Sequence, residues 1–264
     1  MRRIALFSDI HGNLAALDAA LADIAAAGVE ERYCLGDLVG YGPDPAGVVD
    51  RVCSLGIPTV LGNYDDGVGA RRGECGCFYA SAQARSDGAA SYAFTDRALD
   101  DERAAWLAAL PRELRLEEGD VRILLTHGSP RRINEYLLPD RTDELLARLA
   151  DEADADVVCV GHVHVPYHRA LTGGDGRPVH YVSSGSVGKP KDGGPHACWV
   201  EVVIGTPDEV EVSAPDDPAA GPADATGTSL GVSVHRVPYD VERVQQAMLR
   251  AGLPVTLATA LGSS

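Results

Sequence analysis

No stretch of the 264-residue sequence comes near the ~18 consecutive apolar residues of a membrane span. The opening Met1-Arg2-Arg3-Ile4-Ala5-Leu6-Phe7 carries a basic pair, but only four apolar residues follow before Ser8-Asp9, short of the ~7–15-residue hydrophobic region of a secretory signal. These two absences give the expectation of a cytoplasmic protein with no membrane attachment. Lysine is almost missing: Lys189 and Lys191 are the only two, and 39 Asp and Glu against 23 Lys and Arg leave a formal charge of -16. Such a chain lacks the basic stripe that binding of DNA or RNA requires, which argues against a nucleic-acid polymer as partner. A small anionic substrate remains compatible, because bound divalent ions reverse the local field whatever the overall charge. Disulfide-framework spacing is also missing. The six cysteines are scattered, and no second pair joins Cys75-Gly76-Cys77 to complete a zinc site, so reduced structural thiols are expected.

What is present reads as one globular domain over residues 1–264. Apolar runs of strand length recur at Arg3–Phe7, Arg32–Leu35, Ile57–Leu61, Val121–Leu125, Val157–Val160 and Val179–Val182, separated by helical patterns or loops. Strands alternating with helices imply an α/β fold with helices on the faces of the sheet. In the first helix Leu14, Leu17, Leu21 and Ile24 recur at three- and four-residue steps, with Asn13 able to cap its start and Gly28 its end. Residues 66–118 hold helical patterns around Ala82–Ala93 and Asp101–Leu110 and read as a helical insertion near the site. Farther on, Trp199–Ile204 and Glu209–Ser213 suggest a hairpin across Gly205-Thr206-Pro207-Asp208. Residues 214–230, rich in Ala, Asp, Pro and Gly and without an aromatic residue, have the composition of a mobile loop. A strand at Val232–Val237 and a last helix from Asp240, ended by Gly252 and Pro254, complete the chain.

The chemistry lies where the strands stop. Ile4–Phe7 runs into Ser8-Asp9-Ile10-His11-Gly12, Tyr33–Leu35 into Gly36-Asp37, and Val60–Leu61 into Gly62-Asn63. Ile123–Thr126 runs into His127-Gly128, and Val157–Val160 into Gly161-His162-Val163-His164. Sites in open α/β sheets form outside the carboxyl ends of the strands, and residues two apart in an extended segment face the same side. Asp9 and His11 can therefore converge, as can His162 and His164. Any one of these residues alone reads as a turn, a cap or a hydrogen-bonded core group. Together they are too many for one four-coordinate zinc, and they fit two ions if one carboxylate bridges. Imidazole, carboxylate and amide ligands suit Mn²⁺, Fe²⁺, Zn²⁺ or Ni²⁺ better than Ca²⁺ or Mg²⁺.

The ordered pieces Asp9-x-His11, Gly36-Asp37, Gly62-Asn63, His127 and Gly161-His162-x-His164 resemble the signature of the calcineurin-like metallophosphoesterases: DxH, GDxx, GNH[DE], H and GHxH. Ser8–Leu14, Gly36–Pro45 and His127–Pro130 are similar to small bacterial phosphoesterases of the YfcE-like and diadenosine-tetraphosphatase-like kinds. The resemblance spans roughly Arg3 to Gly194 and implies a layered β-sandwich core flanked by helices. It implies one ion held by Asp9, His11, Asp37 and His164 and another by Asp37, Asn63, His127 and His162, with Mn²⁺ the foremost candidate. It further implies hydrolysis of a phosphomonoester, phosphodiester or nucleoside polyphosphate by a water activated between the ions. Ser8 reads as support for Asp9 rather than as a nucleophile.

One position departs from the signature. Tyr64 in Gly62-Asn63-Tyr64-Asp65 stands where the family has a histidine, generally taken as the acid that protonates the leaving oxygen. A phenol with an ordinary pKa of ~10 can donate a hydrogen bond but is a weaker acid at neutral pH. Catalytic roles are expected at Asp37, Asn63 and Tyr64, with Tyr64 either donating to the leaving oxygen as a weaker acid or packing over the site while another group or water supplies the proton. Lys189, in the loop with Lys191, and Arg131, beside Arg132, are the candidate contacts to substrate phosphate. A non-catalytic scaffold on the same fold, as in the retromer subunit that looks like this superfamily, is the rival expectation.

Overall fold

The computed structural model describes residues 1–262. The first half of the chain runs β1 (Arg2–Phe7), α1 (Leu14–Ala26), β2 (Glu31–Cys34), α2 (Pro45–Ser54), α3 (Asn63–Gly69), α4 (Ala82–Ala98), α5 (Asp101–Ala108), β3 (Glu113–Glu118) and β4 (Val121–Thr126). The second half runs α6 (Asp143–Glu152), β5 (Val157–Val160), β6 (Pro166–Thr172), β7 (Pro178–Ser184), β8 (Ala197–Gly205), α7 (Pro207–Ser213), β9 (Gly221–Pro222), β10 (Ser229–Val237), α8 (Val241–Arg250) and α9 (Val255–Gly262). The strands form two mixed five-stranded sheets, ordered β2-β1-β8-β10-β9 and β3-β4-β5-β7-β6.

Side-chain alternation explains why the sheets stack. In β1, Ile4 and Leu6 face one way and meet Val200, Val202, Ile123, Leu125, Val157 and Val182 between the sheets. Ala5 and Phe7 face the other way and pack with Leu17, Leu21 and Ile24 of α1. Across the second sheet, Leu124, Val158 and Tyr181 cover the opposite face against Leu146 and Leu149 of α6. The central strands are therefore buried on both faces, which is why they read as unbroken apolar runs. Asn13 does cap α1, its side chain accepting from Ala16 N–H at 3.1 Å.

Several expectations need correction. Ile57–Leu61 forms no strand and makes only an isolated bridge, Thr59 to Cys34, since Pro58 has no N–H to give a ladder. Glu209–Ser213 is the helix α7, not a hairpin arm. Pro207 sits in its first turn, and Thr206 and Glu209 cap each other's backbone N–H groups, a local signal that outweighs the alternation of Val210 and Val212. The hairpin partner of β8 is β10, paired from Ser229–Gly205 to Val237–Ala197. The segment to Glu118 ends in β3, whose half-buried Leu114 and Leu116 alternate with charged residues along an edge strand. The helix from Asp240 ends before Gly252 and Pro254 as expected, but it is not the last, because α9 follows. Cys75 and Cys77, expected as thiols, are joined by a disulfide.

Residues 214–230 carry β9, paired to β10, and are further held by Asp217. Its carboxylate accepts from Val232 N–H at 2.8 Å and from His168 Nδ1 at 2.6 Å, and His168 bonds in turn to His180 at 2.8 Å. No helix among the described residues is long and apolar enough to cross a membrane.

Candidate metal centre

Both sheets deliver residues to one end of the sandwich. Asp9 and His11 follow β1, Asp37 follows β2, His127 follows β4, and His162 and His164 follow β5, while Asn63 begins α3. All seven are buried. Five of them, Asp9, His11, Asp37, His162 and His164, have φ between 50° and 67°, in the left-handed region that non-glycine residues seldom adopt. Such conformations cost of order 1–3 kcal/mol each and persist where the surroundings over-determine them. The bends turn the side chains inward and group Asp9, His11 and His164 in one cluster and Asp37, His127 and His162 in another, the ligand atoms of each lying within 4.8 Å of one another.

The supporting hydrogen bonds show which atoms remain for an ion. Asp9 Oδ2 accepts from the Ser8 hydroxyl and from His162 N–H at 2.9 Å, whereas its buried Oδ1 has no donor and faces His164 Nε2 at 3.2 Å. Asp37 Oδ1 accepts from Tyr64 N–H at 2.8 Å. Its Oδ2 lies 3.4 Å from His127 Nε2 and 3.9 Å from His11 Nε2, so it faces both clusters. Asn63 Nδ2 donates to Cys75 O at 2.9 Å and lies 3.2 Å from Cys77 Sγ, which leaves Asn63 Oδ1 pointing at His127 Nε2, 3.1 Å away. Backbone approach here needs glycine: a Cβ on Gly62 would sit 2.1 Å from Asp37 N and 2.2 Å from its Oδ1.

The histidine tautomers sharpen this picture. The Nδ1 atoms of His11, His127 and His164 lie 3.0, 2.7 and 2.5 Å from the carbonyl oxygens of Val39, Leu35 and Lys189, so each Nδ1 carries its proton and donates it. Their Nε2 atoms then face inward, as lone pairs on His11 and His164. Burial pushes His11 down to about 4 and also lowers His164, so both are neutral, yet their Nε2 atoms stand 3.3 Å apart. Two lone pairs at that separation, beside a donorless carboxylate oxygen, form a pocket of acceptors suited to a cation. His162 is pushed down to about 3 by burial, and its buried Nε2 has no partner either. His127 goes the other way. Burial opposes its charge, but Asp37 overrides burial and raises it to about 9, so a proton can stand in for an ion at that point alone.

Three features were not assigned from the sequence. Asp65 is fully buried and accepts from Asp37 N–H at 2.8 Å, Leu38 N–H at 2.9 Å and Gly62 N–H at 3.1 Å, clamping the turn that presents Asp37. Its place beside Asn63 and Tyr64 was the available signal. Ser186 donates to the Asp9 carbonyl at 2.8 Å, and the Tyr136 ring lies 4.0 Å from that of His162. No sequence pattern pointed to either. Of the proposed phosphate contacts, Lys189 and Lys191 line the cleft over the clusters. Arg131 and Arg132 do not, and Arg131 is paired with Glu135 at 2.8 and 2.5 Å.

With this geometry in hand, the chain can be set beside known proteins. Residues 1–205 match the calcineurin-like phosphoesterase superfamily domain. The chain belongs to this superfamily. It is 32% identical over 202 residues, 72% of this chain and 78% of the relative, to an uncharacterized protein of Methanocaldococcus jannaschii. A solved metallophosphoesterase from Sphaerobacter thermophilus is 30% identical, with a TM-score of 0.67 over 98% of both chains. A hypothetical protein from Pyrococcus horikoshii shares the fold at 21% identity, with a TM-score of 0.75 over 100% of this chain and 98% of that one. Superfamily membership supports a phosphoester hydrolase that uses divalent metal ions, and the two clusters are candidate sites for them.

Proposed function

We propose that the protein is a dinuclear metal-dependent phosphoesterase acting on a phosphomonoester, phosphodiester or nucleoside polyphosphate. The observation that carries this is the unrelieved facing of His11 Nε2 and His164 Nε2 beside Asp9 Oδ1, while His127 Nε2, Asn63 Oδ1 and Asp37 Oδ2 converge on a second point where a proton stands in for a cation. Asp9, His11, Asp37 and His164 would hold one ion, and Asp37, Asn63, His127 and His162 the other, with Asp37 belonging to both sets. The imidazole-rich set favours Mn²⁺, with Fe, Zn or Ni as alternatives. When bound, the two ions would supply an activated water and take up charge on the phosphoryl oxygens.

The chain's own residues perform the rest. Ser8 and His162 N–H occupy one oxygen of Asp9 and so aim the other. Asp65 fixes the Asp37 turn from behind. The Lys189 ammonium, which no carboxylate among the described residues pairs, faces the cleft where a substrate phosphate oxygen would lie. Chelation should abolish hydrolysis of p-nitrophenyl phosphate, bis(p-nitrophenyl) phosphate or dinucleoside polyphosphates, and Mn²⁺ should restore it. Asp37→Asn should lower metal content as well as rate, read by elemental analysis beside kinetics. Full activity after thorough chelation refutes the mechanism, and two bound ions with no hydrolysis of any ester would favour a metal-binding scaffold.

A further inference from the structure

Two cavities meet at Lys189. One, about 370 Å³, opens on Asp37, Asn63, His162 and His164. The other, about 340 Å³, lies beside it and shares His11, Tyr41, Lys189, Lys191 and Leu257 with the first. Its far wall is apolar: Val244 and Met248 from α8, and Leu257 and Leu261 from α9. These helices lie beyond residues 1–205, the part that matches the superfamily domain, so the chamber is built where the C-terminal segment closes over that domain's own Tyr41 and Lys189. Its volume falls in the ~300–1,000 Å³ range of small-molecule sites.

The polar groups bordering the chamber are largely committed. Asn13 caps α1 through Oδ1 and donates through Nδ2 to Gly188 O at 3.3 Å and to the Tyr239 hydroxyl at 3.2 Å. His11 Nδ1 is bound to Val39 O. Against the Val244, Met248, Leu257 and Leu261 wall, a sugar or nucleoside would therefore bury hydroxyls without partners, which is costly, whereas an apolar group would gain by leaving water. Lys189 stands at the junction with Nζ 4.3 Å from the centroid of the Tyr41 ring. The chain's only two lysines thus both border the passage between the chambers, and no carboxylate of the described residues pairs with either.

We propose, resting on the phosphoesterase reading, that the chamber between Tyr41 and helices α8 and α9 is the leaving-group subsite, and that the substrate is a phosphate ester of an apolar alcohol or phenol. The phosphate lies over the Asp–His clusters with Lys189 beside it, and the organic group enters the α8–α9 chamber. Hydrolysis joins a water oxygen to phosphorus, breaks the P–O bond to the organic group and returns a proton to the departing oxygen, releasing an alcohol or phenol.

Non-hydrolysable phosphonates separate this proposal from the reading beneath it. In calorimetric titrations of the Mn²⁺-loaded protein, benzylphosphonate should bind at least about tenfold more tightly than methylphosphonate, the gain expected from burying a ring. Leu257→Gln, its fold checked by thermal melting, should bring the two affinities together. Equal affinities for both phosphonates in the unaltered protein, with p-nitrophenyl phosphate still hydrolysed, overturn the subsite and leave the phosphoesterase standing. Absence of both phosphonate binding and hydrolysis overturns the two together. A benzyl preference that survives in both Leu257→Gln and Met248→Gln places the ring elsewhere and also overturns the assignment.

Discussion

Tyr64 is the residue at which this chain leaves its superfamily's pattern, and its surroundings explain what it can do. The ring is fully buried, edge-on to His11 at 5.5 Å between centroids. It fits only because Gly40 has no side chain: a Cβ there would lie 2.4 Å from a ring carbon. Burial pushes the phenol well above its ordinary value, making it a poorer acid than a free tyrosine. Its backbone N–H, by contrast, is used, donating to Asp37 Oδ1. Tyr64→Phe should therefore leave the dependence of rate on leaving-group acidity unchanged. Tyr64→His should flatten it by accelerating alkyl esters, by up to the ~10²–10⁴-fold that a positioned acid supplies. Rates on a matched series of alkyl and nitrophenyl phosphates decide this. A loss confined to alkyl esters in Tyr64→Phe would show that the phenol is the proton donor after all.

Between neighbouring elements, the turn after β2 and the start of α3 depend on each other through Asp65. Removing its carboxylate leaves three buried N–H groups without acceptors, at ~1–3 kcal/mol each. Asp65→Ala should consequently lower the melting temperature and the metal content together, and a variant with normal values for both would sink the clamp. The strand ends that carry ligands were legible because each joins an apolar run to a glycine and a ligand-type residue within a few positions. Their left-handed conformations were not, since Asp and His adopt a positive φ more often than most residues but still only in a minority of cases. The elements that escaped were those whose local pattern was weak or in conflict. β3 has glutamates at its ends and outward positions, the run at Ile57 carries Pro58, and α7 hides a capping box within β-branched residues. Asp65 escaped because its partners are backbone groups 27 and 28 residues away as well as one close by.

At the scale of the whole molecule, the site sits where two sheets meet, so its protonation is tied to the stability of the sandwich. In the metal-free protein, burial holds His11 and His180 near 4 and His162 near 3, below the ~6.5 of an unfolded imidazole. The unfolded chain therefore binds these protons first, and the histidines' contribution is full above about pH 6.5 and lost as pH falls toward 4. Asp65 acts in the opposite sense. Burial, reinforced by the charge of Asp37, raises it to about 7, so it offsets part of that loss. His127, raised to about 9 by Asp37 against burial, contributes fully below about 6.5 and loses that contribution as pH rises toward 9. Metal-free stability should accordingly be greatest near pH 6.5 and decline on both sides, until above about pH 8 Lys189, pushed down to about 8 by burial, offsets His127. Mn²⁺ should raise the melting temperature around neutral pH, because it binds only the folded arrangement. It should also remove the decline between about 7 and 8, since a cation held by His127 and Asp37 would replace the proton, and steepen the decline below 6, where protonated imidazoles release the ion. Thermal melts from pH 4 to 9, with and without Mn²⁺, test this directly. A metal-free profile that stays flat between pH 4 and 6.5 would mean that the buried histidines are protonated as easily as free ones. A loaded profile that still falls above pH 7 would mean that no cation takes the place of the His127 proton.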